Sequence, residues 1–308
     1  MNSRRDFIKG LLGCSALALT SSLYPGLAFA NARSDKRFVM VILRGGMDGL
    51  AALAPYGDPH YKTIRGDLSL AQDTLLKIDP FFGLHPNLEP FAKMYEEGDM
   101  ITLPAIATPY RKRSHFDAQN MLELGSTRPY GLDSGWMNRL VGAIDAHDSD
   151  LGMALGQTLP AIIRGKYPVS SWAPSNIKEQ SDDYLSLLQK VYEADPLFSQ
   201  NLEKALELQI KSMDALDGIM KNAAHKSRSN KAFITMAQLA GKWLSDINGP
   251  RIATLDLGGW DTHVQQGTEG GRLANNFALF ARGIATLKKE LGSNGLGLQK
   301  ATCLKIEM

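Results

Sequence analysis

RFVMVILRGGMDG, residues Arg37 to Gly49, opens with a charge, runs through six apolar residues and passes Arg44 into a glycine pair. The apolar run is continuous rather than alternating, and rich in β-branched side chains. A strand of that kind is buried on both faces, as in a parallel sheet. The same pattern returns at Arg251-Ile-Ala-Thr-Leu-Asp-Leu257, which runs into Gly258-Gly259. Open parallel sheets bind ligands beyond the carboxyl ends of their strands, so the two glycine loops are where chemistry is sought.

Between these strands the pattern turns helical. Residues 86–97 read as a helix, with Pro86 at its start and Gly98 past its end. Residues 100–103 read as a second strand. Residues 115–124 form a helix capped by Ser114 and stopped by Gly125, and residues 136–146 form another. Residues 182–244 are largely helical and are read as an insertion, about residues 178–247, packed on the main sheet. Leu273, Phe277, Phe280, Ile284, Leu287 and Leu291 recur at fours and threes, which is a core-facing stripe. Residues 300–306 start one more strand. Strand–helix alternation of this kind predicts an α/β layered fold, with residues 31–308 as one domain.

The amino end carries a different message. Ser3-Arg4-Arg5-Asp6-Phe7-Ile8-Lys9 is followed by a weakly apolar stretch to Leu23 and by Ala28-Phe29-Ala30. That is the order of a charged region, an apolar region and a signal-peptidase site. The arginine pair points to export of a folded protein by the twin-arginine translocase, and so to the periplasm. A membrane anchor is the alternative, but a spanning helix needs about 20 predominantly apolar residues. This stretch is shorter and carries Pro25 and Gly26, so no stable span is expected. Cys14 lies too close to the arginines to be a lipidation site.

Arg4, Arg5 and Lys9 against Asp6 account for the whole formal charge of +2. The mature chain is neutral, which argues against bulk attraction to nucleic acid or anionic lipid. Of the 2 cysteines only Cys303 survives cleavage, so no intrachain disulfide forms despite an oxidising compartment.

In the glycine loops Asp48, Asp261 and His263 offer oxygen and imidazole donors of the kind that zinc, manganese or magnesium accept. The alternative is that each aspartate caps a helix or a turn. Neither loop is a GxGxxG or a Walker motif, so nucleotide binding is not indicated. A third segment, Pro109-Tyr-Arg-Lys-Arg-Ser-His-Phe-Asp117, sets Ser114 at a helix amino end, where an oxyanion gains from free N–H groups. Arg111, Lys112 and Arg113 are suited to a phosphate or sulfate group. The alternatives there are a capping serine and a solvated basic turn. His60 and His85 read as hydrogen-bonded loop histidines.

These loops carry a resemblance. LRGGMDGLAALAPYGDPHY, FFGLHPNLEPF, PYRKRSHFDAQNMLELG, GWMNRL and LGGWDTHVQQG, spread from Leu43 to Gly267, resemble the bacterial twin-arginine-exported family called domain of unknown function 1501. That family is similar to the alkaline phosphatase and sulfatase superfamily. The resemblance implies a three-layer α/β/α sheet with one or two divalent metals at its carboxyl edge. It places Asp48 as the first metal aspartate, Asp261 and His263 as a metal pair, and Ser114 as the hydroxyl nucleophile. Arg111, Arg113 and His115 become the side chains that hold the substrate.

Family members continue into a Glu-Phe-Gly-Arg segment and a later Asp-His-Gly motif, whereas this chain ends at Met308 with neither. The expectation is a fold incomplete at its carboxyl end, with the 273–291 stripe partly exposed. The function expected is a metal-dependent hydrolase of phosphate or sulfate esters, inactive if truncated. The alternative is a non-catalytic periplasmic protein, acting in binding or envelope assembly on the same scaffold.

Overall fold

The computed structural model describes residues 36–145, 150–174, 182–220, 228–292 and 302–303. Residues 1–30, expected as an export signal, lie outside them. A parallel sheet organises the chain: β1 (Phe38–Leu43), β5 (Gly152–Leu155), β6 (Ser170–Trp172), β7 (Ile252–Leu257) and β8 (Thr302–Cys303), in the order β6-β5-β7-β1-β8. β1 and β7 pair in register from Phe38 with Ile252 to Leu43 with Leu257. The two strands therefore end level, and the two glycine loops leave the same edge side by side.

The helices are α1 (Gly49–Ala52), α2 (Tyr61–Arg65), α3 (Glu89–Glu96), α4 (His115–Leu124), α5 (Trp136–Ile144), α6 (Asp182–Tyr192), α7 (Pro196–Met220), α8 (Arg228–Ser245) and α9 (Arg272–Gly292). Of these, α3, α8 and α9 pack on one face of the sheet and α5 on the other. Val39, Val41, Leu43, Ala253 and Leu255 point to one face and meet Phe91 of α3, Phe233 and Leu239 of α8, and Phe277 and Phe280 of α9. Met40, Ile42 and Ile252 point to the other and meet Met137 and Val141 of α5 with Ile162 and Ile163. The fold is thus mixed α/β around a parallel sheet. Among the described residues no helix is long and apolar enough to cross a membrane.

The α9 stripe corrects an expectation. All of Leu273, Phe277, Phe280, Ile284, Leu287 and Leu291 are buried. α8 returns across α9 and covers it, so closely that a Cβ on Gly283 would stand 2.2 Å from Cε1 of Phe233. Each such side chain contributes about 1.5–3 kcal/mol by leaving water.

Residues 100–103, expected as a strand, are not one: Ile101 and Leu103 are exposed, and a short apolar run without a ladder partner has nothing to pair with. The sheet instead takes in β5 and β6, whose sequences GMAL and SSW carry little strand signal.

A smaller antiparallel sheet, β2 (Leu53–Ala54), β4 (Gly83–Leu84) and β3 (Leu76–Lys77), follows α1. A small core of Ala54, Tyr61, Leu70 and Leu75 fixes α2 against it. That core determines where Arg65, the last residue of α2, is held.

Candidate functional site

Three segments meet at the carboxyl edge of the sheet: the loop after β1, the loop after β7, and the amino end of α4. Their approach explains the glycines. Gly45 has φ of 121°, and a Cβ on it would stand 2.8 Å from the backbone nitrogen of Asp261. A Cβ on Gly46 would stand 2.5 Å from Cε1 of His115.

Trp260 anchors the β7 loop. It is fully buried, with ring centroids 5.5 Å from Phe277 and 5.9 Å from Phe280, and its backbone N–H donates to the Arg44 carbonyl at 3.4 Å. Farther along, Nε2 of buried His85 donates to the Thr268 carbonyl at 2.8 Å, while its Nδ1 accepts from the Asn87 N–H at 3.0 Å. That assignment follows from the acceptor role of Nδ1, which leaves the ring proton on Nε2. Burial pushes His85 below the ordinary histidine range, with the Thr268 contact and the charge of Glu269 acting the other way.

Arg44 ties the edge together. Its backbone N–H donates to the Leu257 carbonyl at 2.8 Å. Its guanidinium bonds both oxygens of Glu123 on α4, and it donates to Oδ2 of Asp256 on β7 from Nε at 3.2 Å and from Nη2 at 3.1 Å. Glu123 also accepts from the Ile162 N–H at 3.0 Å. Burial pushes the Asp256 carboxyl up, and Arg44 opposes that shift. Burial acts to lower Arg44, but its bond to Glu123 and the nearby carboxylates outweigh it and raise the guanidinium. One arginine thus locks α4 to both strands, and Gln119 adds a bond from Nε2 to the Gly45 carbonyl at 3.2 Å.

The expected site residues divide into distinct groups. Asp261 and His263 come together, with Nε2 of His263 at 2.8 Å from Oδ2 of Asp261. His115 joins them, its Nε2 3.8 Å from Oδ1 of the same carboxylate. All three side chains are substantially exposed. Ser114 caps α4: its Oγ accepts from the Asp117 N–H at 3.2 Å. The Tyr110 hydroxyl donates to Oδ2 of Asp117 at 2.6 Å, and that bond raises the phenol above its ordinary range. Arg111 and Arg113 lie on the exposed run before α4, where Arg111 donates to the carbonyls of Thr108 and Tyr110.

Asp48 belongs to a different network. Its Oδ1 accepts from the Ala51 N–H at 3.2 Å, capping α1. Its Oδ2 accepts from Nη2 of Arg65 at 2.5 Å and from Nε2 of Gln266 at 2.7 Å. Gln266 in turn accepts on Oε1 from the Thr262 hydroxyl at 2.9 Å. Gln266 and Thr262, the residue between Asp261 and His263, thus link Asp48 to that pair.

The divalent metal that the resemblance implies does not fit this donor set. Oδ2 of Asp48 already has two donors, one of them a guanidinium. Among the described residues no group of three or more His, Cys, Asp or Glu side chains is placed to hold a metal ion.

Reading the sequence alone missed Arg65, Gln266 and the Arg44–Glu123–Asp256 cluster. Each is a single polar residue in an ordinary setting, and no spacing marks it.

A family model described as "Protein of unknown function (DUF1501)" matches residues 100–302. The match takes in Ser114, His115, Asp261 and His263, while Asp48 and Arg65 precede it. No curated protein and no solved structure matches the chain.

Proposed function

Because the chain belongs to the DUF1501 family, whose description names no activity, we propose its function from the site: an exported hydrolase of phosphate or sulfate esters. The observation that carries this reading is the meeting of His115, Asp261 and His263 beside the amino end of α4, at the carboxyl edge of a parallel sheet. In this proposal the fold is the three-layer relative of alkaline phosphatases and sulfatases. The chain reaches the periplasm through the twin-arginine translocase and loses residues 1–30 to signal peptidase.

The chemistry is derived from the chain's own groups. Arg111, Arg113 and His115 hold the anionic ester, with the free N–H groups of the first turn of α4 beside them. Ser114 Oγ attacks phosphorus or sulfur, and the ester bond to the leaving oxygen breaks. The serine proton ends on the leaving alcohol, and water then releases the anion and restores the hydroxyl. His263, oriented by Asp261, is the group suited to carry that proton.

A second reading is a non-catalytic binding or envelope-assembly protein on the same scaffold. It draws on the Ser114 hydroxyl, which is engaged as a cap, and on Asp48, which is engaged by Arg65. Turnover separates the two. The purified chain should hydrolyse p-nitrophenyl phosphate or p-nitrophenyl sulfate, and both Ser114→Ala and His263→Ala should abolish it. Saturable binding of phosphate or sulfate by the unmutated chain, with no turnover of either ester, would establish the second reading instead.

A further inference from the structure

We infer that Arg65 is the resident cation of this edge: its guanidinium takes the position at Asp48 that a divalent metal would take, and Asp48 is not a metal ligand in this protein. The inference rests on the site being at the carboxyl edge as proposed above, but it does not depend on any turnover there.

The argument begins with lone pairs. A carboxylate oxygen has two, and Oδ2 of Asp48 accepts two bonds, from Arg65 at 2.5 Å and from Gln266 at 2.7 Å. Oδ1 is engaged by the Ala51 N–H. A metal ion could bind Oδ2 only by displacing at least one of these two donors. The orientation of Gln266 opposes that. Its Oε1 receives the Thr262 hydroxyl, so its amide must present N–H groups, not oxygen, toward Asp48. Those hydrogens would face an incoming cation with the wrong sign.

Arg65 is delivered by structure, not by chance contact. It closes α2, which the Tyr61, Leu70 and Leu75 core fixes against the small sheet. The Tyr61 hydroxyl also accepts from the Leu70 N–H at 3.2 Å. The side chains of Arg65 and Asp48 are only 15% and 16% exposed, so the pair meets in a setting with little solvent screening. A charge held this way needs its partner, and here the chain supplies both. The carboxylate after β1 therefore serves to hold a fixed arginine, and with it the Gln266 end of the β7 loop.

The test is thermal melting of the purified full chain with EDTA, with zinc and with manganese, compared between the unmutated protein and Asp48→Asn. A ligand that binds only the folded state raises the melting temperature, so loss of a metal ligand is read directly. The expected result is that metals give the unmutated chain and Asp48→Asn the same shift, whether that shift is zero or positive. A metal-induced rise that Asp48→Asn abolishes would overturn the inference. If the single variant does not fold, Asp48→Asn combined with Arg65→Gln leaves no unpaired charge and gives the same comparison. Hydrolysis is not the readout, so an inactive chain sinks the functional reading and leaves this inference standing.

Discussion

The imidazole of His115 lies over Gly46 so closely that a methyl group on the glycine would stand 2.5 Å from Cε1. Gly45, next to it, is constrained by backbone, because its Cβ would stand 2.8 Å from the Asp261 nitrogen at a φ of 121°. The two glycines should therefore fail differently. Gly45→Ala strains the fold and should cost about 1–3 kcal/mol in denaturant unfolding. Gly46→Ala meets the end of an exposed side chain that can turn away. It should cost far less stability, yet remove His115 from Asp261 and lower any turnover. Equal destabilisation by the two changes would contradict this division.

Ser114 carries two roles that one substitution can separate. As the cap of α4 it should contribute about 1 kcal/mol, lost in Ser114→Ala. Ser114→Asp keeps a capping oxygen but removes the hydroxyl. It should melt near the unmutated protein and hydrolyse nothing. Retained hydrolysis in either variant would leave Ser114 a cap alone.

Export should depend on the arginine pair. Changing Arg4 and Arg5 together to lysine keeps the charge and should leave the precursor in the cytoplasm, as followed by fractionation. Normal export of the Lys-Lys form would overturn the twin-arginine reading.

What the sequence made legible follows from range. β1, β7 and their glycine loops announce themselves because each strand is buried on both faces over consecutive residues. α4 matched its reading at both ends, with Ser114 as cap and Gly125 at φ 64° as stop, because caps are local. β5 was invisible: Gly152-Met-Ala-Leu155 is a strand only because β7 and β6 flank it. The α9 stripe was read correctly as a stripe, but what covers it comes from α8, a separate helix. The fate of Asp48 was equally out of reach. The carboxylate stands just after a strand, and the partners it meets, Arg65 and Gln266, sit 17 and 218 residues away. His115 was expected beside the substrate, and no local pattern revealed that it would meet Asp261.

Arg44 should be the costliest polar position at the edge. Glu123 is nearly buried and Asp256 partly so, and Arg44 is the cation that bridges them. Arg44→Ala leaves two carboxylates facing each other and should cost about 3–5 kcal/mol. Arg44→Lys keeps the charge but cannot bond both acids through a planar fork, so it should recover only part of the loss. Replacing Asp256 by Asn as well should recover some of the Arg44→Ala deficit, because one unpaired charge is then gone. An additive double variant would show that the three residues do not act as a unit.

His85 should make the β7 loop sensitive to acid. Burial holds its folded-state pKa below the unfolded value of about 6.5. The unfolded chain then binds the proton more readily than the folded one, so stability rises with pH in that window. The contribution is fully present above the unfolded value and is lost as pH falls through the lower folded-state value. The structural reason is specific. Nδ1 must stay unprotonated to accept the Asn87 N–H, while Nε2 donates to Thr268. The charge of Glu269 works against the depression and softens it. Melting temperatures from about pH 8 to about pH 5 should fall more steeply for the unmutated chain than for His85→Gln, which cannot titrate. Hydrogen exchange should locate the early opening at residues 258–271, the loop that His85 holds through Thr268. Parallel melting curves for the two proteins would mean that His85 binds its proton equally well in the folded and unfolded chains, and the acid sensitivity would belong elsewhere.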